Sequence, residues 1–157
     1  LGYNYLACAA LAQGNYYMII NGDNVEPIET IRAIISQLGN ADMIIPFFAQ
    51  NDRRNRTRRK MSLLFTRIVN FVSGNRIHYY NGPVLHQTDN IRSAQLKTTG
   101  FGYQAELICK LLKEGKTYLE ISVINQDRQR GFSKAFRFSN CLSITKSLLR
   151  IFWKRFQ

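Results

Sequence analysis

The stretch Tyr16-Tyr17-Met18-Ile19-Ile20-Asn21-Gly22-Asp23-Asn24-Val25-Glu26-Pro27 decides how the chain is read. Its first five residues form a continuous apolar run, and Asn21 to Asn24 break that run with turn residues. A short apolar run closed in this way is the pattern of a buried β-strand. Pro27 then stands where the first turn of a helix would be. Ile28, Ile31, Ile34, Ile35 and Leu38 follow at helical spacing until Gly39-Asn40. Met43-Ile44-Ile45-Pro46-Phe47-Phe48 is a second apolar run. Strand, turn, helix, strand is the rhythm of an α/β sheet with parallel neighbours. It predicts parallel strands near 16–20, 42–47 and 118–124, with Asp23 at the carboxyl end of the first.

Upstream, Tyr5 to Ala12 reads as the end of a helix closed by Gly14. The chain opens at Leu1, already inside that pattern, which implies a piece of a longer protein. Downstream, residues 50–60 read as a polar, basic loop. Met61, Leu64, Phe65, Ile68 and Val72 then mark an amphipathic helix ending at Gly74. Asn81-Gly82-Pro83 is a turn before a short strand. Tyr103 to Leu112 fits a helix closed by Gly115, Tyr118 to Ile124 alternates as a strand, and Gln126 to Lys134 is a second basic loop. Cys141 to Phe156 reads as a last helix. The organisation expected is one domain over 1–140 and a terminal amphipathic helix over 141–157.

With 157 residues, 45% hydrophobic and 20% charged, the chain can bury one core but not two. Disordered and collagen-like classes are excluded. Cys8, Cys109 and Cys141 are scattered and form no CxxC pair, which argues against a zinc knuckle or a disulfide scaffold. No uncharged apolar run approaches the roughly 18 residues of a membrane-spanning helix. Charge is lopsided. Residues 1–50 carry one basic and four acidic side chains, whereas the whole chain has a net charge of +12, so the remainder holds +15. Such a balance implies an anionic partner: nucleic acid, nucleotide, phospholipid or phosphorylated substrate.

Four places could carry chemistry. Asn21-Gly22-Asp23 ends a buried strand, where ligands of open α/β sheets gather, and a carboxylate there can hold a hard cation that in turn holds phosphates. The alternative is a turn in which Asp23 or Asn24 caps the next helix. Arg128-Gln129-Arg130-Gly131-Phe132-Ser133-Lys134 combines guanidiniums, a glycine, a hydroxyl and an ammonium, a phosphate-gripping set unless it is a solvated basic loop. Residues 53–60 hold six cations in eight positions. No aromatics interleave with them, so a base-stacking nucleic-acid platform is poorly supported and no nucleic acid is expected as a partner. On a helical wheel, Leu142, Ile144, Leu148, Leu149, Ile151, Phe152, Trp153 and Phe156 oppose Lys146, Arg150 and Lys154. That is the build of an interfacial helix, or of a helix packed on the core. His78 and His86 read as packing or loop histidines, and Glu106 either orients a group on the acceptor side or faces solvent.

The order of these elements resembles the later part of family-2 glycosyltransferases with the GT-A fold, in the dolichol-phosphate-mannose synthase and polyprenyl-phosphate glycosyltransferase branch. The resemblance runs nearly end to end. Met18 to Pro27 is similar to the strand and Asp-x-Asp metal motif, Ala41 to Ile45 to the next strand, and Arg58 to Ser62 to the basic start of a helix. Gly100 to Leu112 is similar to the following helix, and Arg128-x-x-Gly131-x-Ser133-Lys134 to the family's R-x-x-G-x-S-K loop. Departures are Asn21 in place of the first metal-motif Asp, Val25 in place of a Gln, and Phe48 in place of an Arg.

The resemblance implies an α/β, GT-A-like layered sheet with flanking helices and the N-terminal part missing. It implies an inverting glycosyltransferase that moves a sugar from a nucleotide sugar to a polyprenyl phosphate at the cytoplasmic face of a membrane. The fragment alone is expected to be inactive. By the same resemblance, Asn21, Gly22 and Asp23 form the donor and metal motif, with Asp23 the ligand of Mg²⁺ or Mn²⁺. Asp23, Arg128 and Lys134 are the catalytic set, and Arg58, Arg59, Arg128, Gly131, Ser133 and Lys134 bind phosphate. The partners implied are a nucleotide-sugar donor, a lipid-phosphate acceptor and a membrane surface. The rival readings are a non-catalytic basic domain binding nucleic acid or anionic lipid, and a degenerate glycosyltransferase relative, the latter motivated by Asn21.

Overall fold

The computed structural model describes residues 1–22, 26–48, 54–96, 98, 100–124 and 138–155. Among the described residues ten elements follow in order: α1 (Gly2–Leu11), β1 (Tyr16–Tyr17), α2 (Ile28–Ile35), β2 (Met43–Phe47), α3 (Arg56–Ser73), β3 (Leu85–Gln87), α4 (Thr88–Ser93), α5 (Tyr103–Lys113), β4 (Tyr118–Ser122) and α6 (Phe138–Arg155). The four strands form one sheet in the order β1-β3-β2-β4. The α/β expectation holds.

Parallel pairing is seen where Met43 to Phe47 of β2 run beside Tyr118 to Ser122 of β4. The expected direct parallel neighbourhood of the first two strands is corrected. β3 lies between β1 and β2 and is antiparallel to both, with His86 opposite Tyr17 on one side and Met43 on the other. β1, β2 and β4 nonetheless share one direction, so their carboxyl ends lie at one edge of the sheet. β1 is shorter than its apolar run: only Tyr16 and Tyr17 pair with β3, opposite Gln87 and His86.

Pro46 sits inside β2 without breaking it. Met43 N donates to Thr117 O and Val123 N donates to Phe47 O, so the odd-numbered residues of β2 bond to β4. The missing N–H of Pro46 therefore points to the other edge, beyond Met43 and Ile44, where the pairing with β3 ends. Asp42 ties the base of the sheet together. Its carboxylate accepts from the Thr117 N–H at 2.8 Å and the Thr117 hydroxyl at 2.7 Å, and these bonds hold its pKa below the ordinary value.

α3 begins at Arg56, five residues before its first apolar position. Arg and Lys are good helix formers, and the Asn55 side chain caps the first turn by accepting from Thr57 N at 3.0 Å. The basic stretch is thus half helix rather than all loop. Gly74 ends α3 in the left-handed conformation at φ 79°, where a side chain would be strained.

The core gathers on one face of the sheet, where Met43, Ile45, Val69, Tyr80, Leu107, Ile108 and Leu111 are all fully buried. Tyr5 of α1 packs edge-on to Tyr17 at 5.0 Å and against Tyr103 at 4.7 Å. α6 packs on this core as well, with Ser147 and Ile151 buried. The wheel's single apolar arc is corrected: Leu149, Phe152 and Trp153 point outward, Trp153 at 70% exposure. Arg150 keeps 39% of its side chain exposed but also turns toward the core. It donates to the Thr98 hydroxyl at 2.8 Å and stands 3.9 Å from the carboxylate of Glu106, which is only 1% exposed. Glu106 also accepts from Thr98 and so does not face solvent. Gly102 lets α6 come this close, since a Cβ there would clash with the Ser147 side chain.

Candidate active site

The shared direction of β1, β2 and β4 brings three chain exits to one edge: Asn21 after β1, Phe48 after β2 and Ile124 after β4. Asp23, Arg128, Gly131, Ser133 and Lys134 lie outside the described residues, but the segments that carry them leave from this edge. Two hydrogen bonds fix those departures. Asn21 Nδ2 donates to Glu26 Oε1 at 3.0 Å, joining the described residues on either side of Asp23. Thr30, in the first turn of α2, donates its hydroxyl to Ile124 O at 2.6 Å. Ile124, the last described residue before the second basic stretch, is thereby pinned to α2.

Glu26 is a functional candidate that the pattern reading passed over. Its second oxygen, Oε2, is buried and finds no hydrogen-bond partner among the described residues. A carboxylate oxygen left in that state is poorly solvated unless a cation or donor meets it. The signal in the sequence was a second acid three residues beyond Asp23, masked by its place beside the helix-starting Pro27. Among the described residues no group of three or more His, Cys, Asp or Glu is arranged to hold a metal ion.

A pocket of about 490 Å³ opens beside Asn21. That volume is within the usual range for small-ligand sites. Most of its lining is apolar: Ile19, Met61, Leu64, Phe65, Ile68, Pro83, Phe101 and Leu148 among others. Asn21, Arg54 and Arg58 are polar members of the same wall. Arg54 is held by stacking near the Phe48 and Tyr79 rings, at 5.0 and 5.2 Å, and by donating to Tyr79 Oη at 2.9 Å.

Arg58 and Arg59, paired in the sequence reading, are separated by the helix. Successive helical residues point about 100° apart. Arg58 lines the apolar pocket, while Arg59 lines a second cavity on the other flank of α3. The two histidines differ. His86 is buried in β3, and neither ring nitrogen finds a hydrogen-bond partner among the described residues. Burial pushes its pKa down to about 3, so it is a packing residue, neutral at physiological pH. His78 is exposed, with Nδ1 2.8 Å from Glu120 Oε2 and its ring stacked on Phe47.

No family model matches the chain, and no curated protein matches it. Among solved structures, the crystal structure of glucosyl-3-phosphoglycerate synthase from Mycobacterium tuberculosis in complex with uridine diphosphate is similar, with a TM-score of 0.65 and 10% sequence identity. The match covers 94% of this chain and 53% of that one, so the chain spans about half the length of the enzyme it resembles. At that identity the likeness speaks for architecture: the chain has a GT-A-like α/β fold.

Proposed function

We propose that the chain forms the acceptor half of an inverting glycosyltransferase that moves a sugar from a nucleotide sugar to a polyprenyl phosphate. The observation that carries this is the composition of the 490 Å³ pocket: a mainly aliphatic and aromatic wall with two guanidiniums and Asn21 set into it. A ligand with an isoprenoid tail and a phosphate head satisfies both parts. A small soluble acid such as phosphoglycerate would leave the apolar part wet.

Asp23 and Glu26 are the residues that would hold Mg²⁺ or Mn²⁺, and hard carboxylate oxygens, one of them orphaned, suit such a cation. A bound cation would neutralise the donor diphosphate as it leaves. Arg128 and Lys134, with Ser133, would grip phosphate from the basic stretch that follows Ile124 in the chain, while Arg58 and Arg54 orient the acceptor phosphate. That phosphate is already ionised at neutral pH, so it attacks the anomeric carbon without a strong general base. This agrees with a site edge that carries no catalytic histidine.

Membrane association belongs to the same reading. No helix among the described residues is long and apolar enough to cross a membrane. α6, however, exposes Leu149, Phe152 and Trp153 beside Lys146, and α3 exposes Leu64 and Phe71. Aromatic and aliphatic side chains next to cations dock on an anionic membrane face. The test is binding of a short-chain polyprenyl phosphate in detergent. Arg58→Ala and Leu64→Asp should each weaken it at least about tenfold, since a charge-assisted phosphate contact is worth roughly 1.5–3 kcal/mol. Equal affinity in wild type and both variants would remove the acceptor assignment.

A further inference from the structure

The second cavity, about 570 Å³, lies on the opposite flank of α3 from the apolar pocket. Arg56, Arg59, Lys60, Leu63 and Thr66 contribute to it from a single stripe of that helix, which spans about 15 Å at 1.5 Å per residue. Phe47, Phe48, Tyr79 and His78 form the facing wall, and Arg54, Ser62 and Tyr79 are shared with the apolar pocket.

Three observations set its chemistry. Four of its side chains, Arg54, Arg56, Arg59 and Lys60, are cations, and none of its described lining residues is a carboxylate. Thr66 is only 5% exposed, yet its hydroxyl finds no hydrogen-bond partner among the described residues. In a helix a threonine hydroxyl ordinarily bonds back to the preceding turn, so an unpaired one lining a cavity is a group without its ligand. His78 is held rigidly: Glu120 accepts from its backbone N–H at 2.7 Å and meets Nδ1 at 2.8 Å, with the ring stacked on Phe47 at 4.6 Å. Nδ1 is committed to the carboxylate, which leaves Nε2 as the ring nitrogen available to a bound group.

We infer that this cavity is a second anion site, which takes a phosphomonoester with an organic body. The phosphate sits among Arg56, Arg59 and Lys60, and the body lies along Leu63 toward Thr66 and His78. Guanidiniums fork onto phosphate oxygens and the lysine adds a point charge. The cavity adjoins the acceptor pocket through Arg54, Ser62 and Tyr79, but Arg56, Lys60, Thr66 and His78 line this cavity only, so a test through Arg56 and Lys60 is separable from sugar transfer. Two sources share this chemistry: a soluble phosphorylated metabolite and the headgroup of phosphatidic acid.

The test titrates the chain with phenyl phosphate while following the His78 ring signals by NMR, with Arg56→Gln/Lys60→Gln as the variant. Both residues are exposed, so the fold survives their replacement. Saturable movement of the His78 signals, with affinity at least about tenfold lower in the variant, is the expected result. A parallel arm uses vesicles of phosphatidylcholine with and without phosphatidic acid. If the chain responds to the acidic vesicles alone and the variant loses that response, the source is the headgroup; a response to phenyl phosphate makes it soluble. Failure to bind either probe, or equal binding by the variant, overturns the site. Polyprenyl-phosphate binding unchanged in the variant separates this result from the fate of the transfer reading.

Discussion

Replacing His86 with leucine should remove most of the acid sensitivity of folding above pH 4. The imidazole is 1% exposed, with both ring nitrogens unpaired among the described residues. Burial lowers its pKa from the ordinary 6.5 to about 3. The sign follows from linkage. Between these values the unfolded chain binds a proton that the folded chain refuses, so the stabilisation is complete above 6.5 and is lost as pH falls toward 3. At pH 5 the unfolded state gains about 2 kcal/mol from protonating this one group, rising to about 4–5 kcal/mol near pH 3, at 1.36 kcal/mol per unit. The assay is urea denaturation at pH 7.5 and pH 5. With a urea dependence of about 2 kcal/mol per molar, the wild-type midpoint should drop by about 1 M, and the His86→Leu midpoint should barely move. Leucine also deletes two unpaired polar atoms, so at pH 7.5 the variant should be no less stable than wild type by more than about 1 kcal/mol. The same pH dependence in both proteins would refute the buried, neutral histidine.

Gly102→Ala should destabilise by about 1–3 kcal/mol, because its Cβ meets Ser147 at the α5–α6 contact; thermal melts check this, and combining it with Ser147→Gly should recover part of the loss. Arg150→Met should cost about 2 kcal/mol by leaving the buried Glu106 carboxylate with Thr98 but without its guanidinium, and a chemical-denaturation series with Glu106→Gln added should show the two changes to be non-additive. Serine at Leu149, Phe152 and Trp153 together should weaken binding to anionic vesicles at least about tenfold with little change in melting temperature, since these side chains face outward. Co-sedimentation measures it; vesicle binding equal to wild type would assign membrane contact elsewhere.

The elements that alternate strictly between turn residues and apolar runs were legible in the sequence: β2, β4, α2 and α5 stand close to where their patterns put them. β3 was reduced to a short strand after Gly82-Pro83, and its place between β1 and β2 was invisible, because pairing order is a long-range property that a local pattern does not encode. α4 was missed because its six residues, Thr88 to Ser93, are too few to show a helical period. The split of α6 has a different cause. A wheel ranks residues by hydropathy, but Ser147 is buried by a glycine on the neighbouring helix and Arg150 is drawn toward Glu106, so the buried side is set by its partners. At the site, the direction of the strands and the place of Asn21 were readable from the turn motif. Glu26 and the division of labour between Arg58 and Arg59 required the fold.

The central claim is the lipid-phosphate acceptor, and one assay meets it directly. The full protein is incubated with Mg²⁺, a polyprenyl phosphate in detergent and a panel of radiolabelled nucleotide sugars, and label is followed into the organic phase. The account predicts organic-extractable label with at least one donor, abolished by Asp23→Ala and reduced at least about tenfold by Arg128→Ala or Arg58→Ala. Label transferred only to a water-soluble acceptor such as 3-phosphoglycerate, or organic label undiminished by Asp23→Ala, would contradict it.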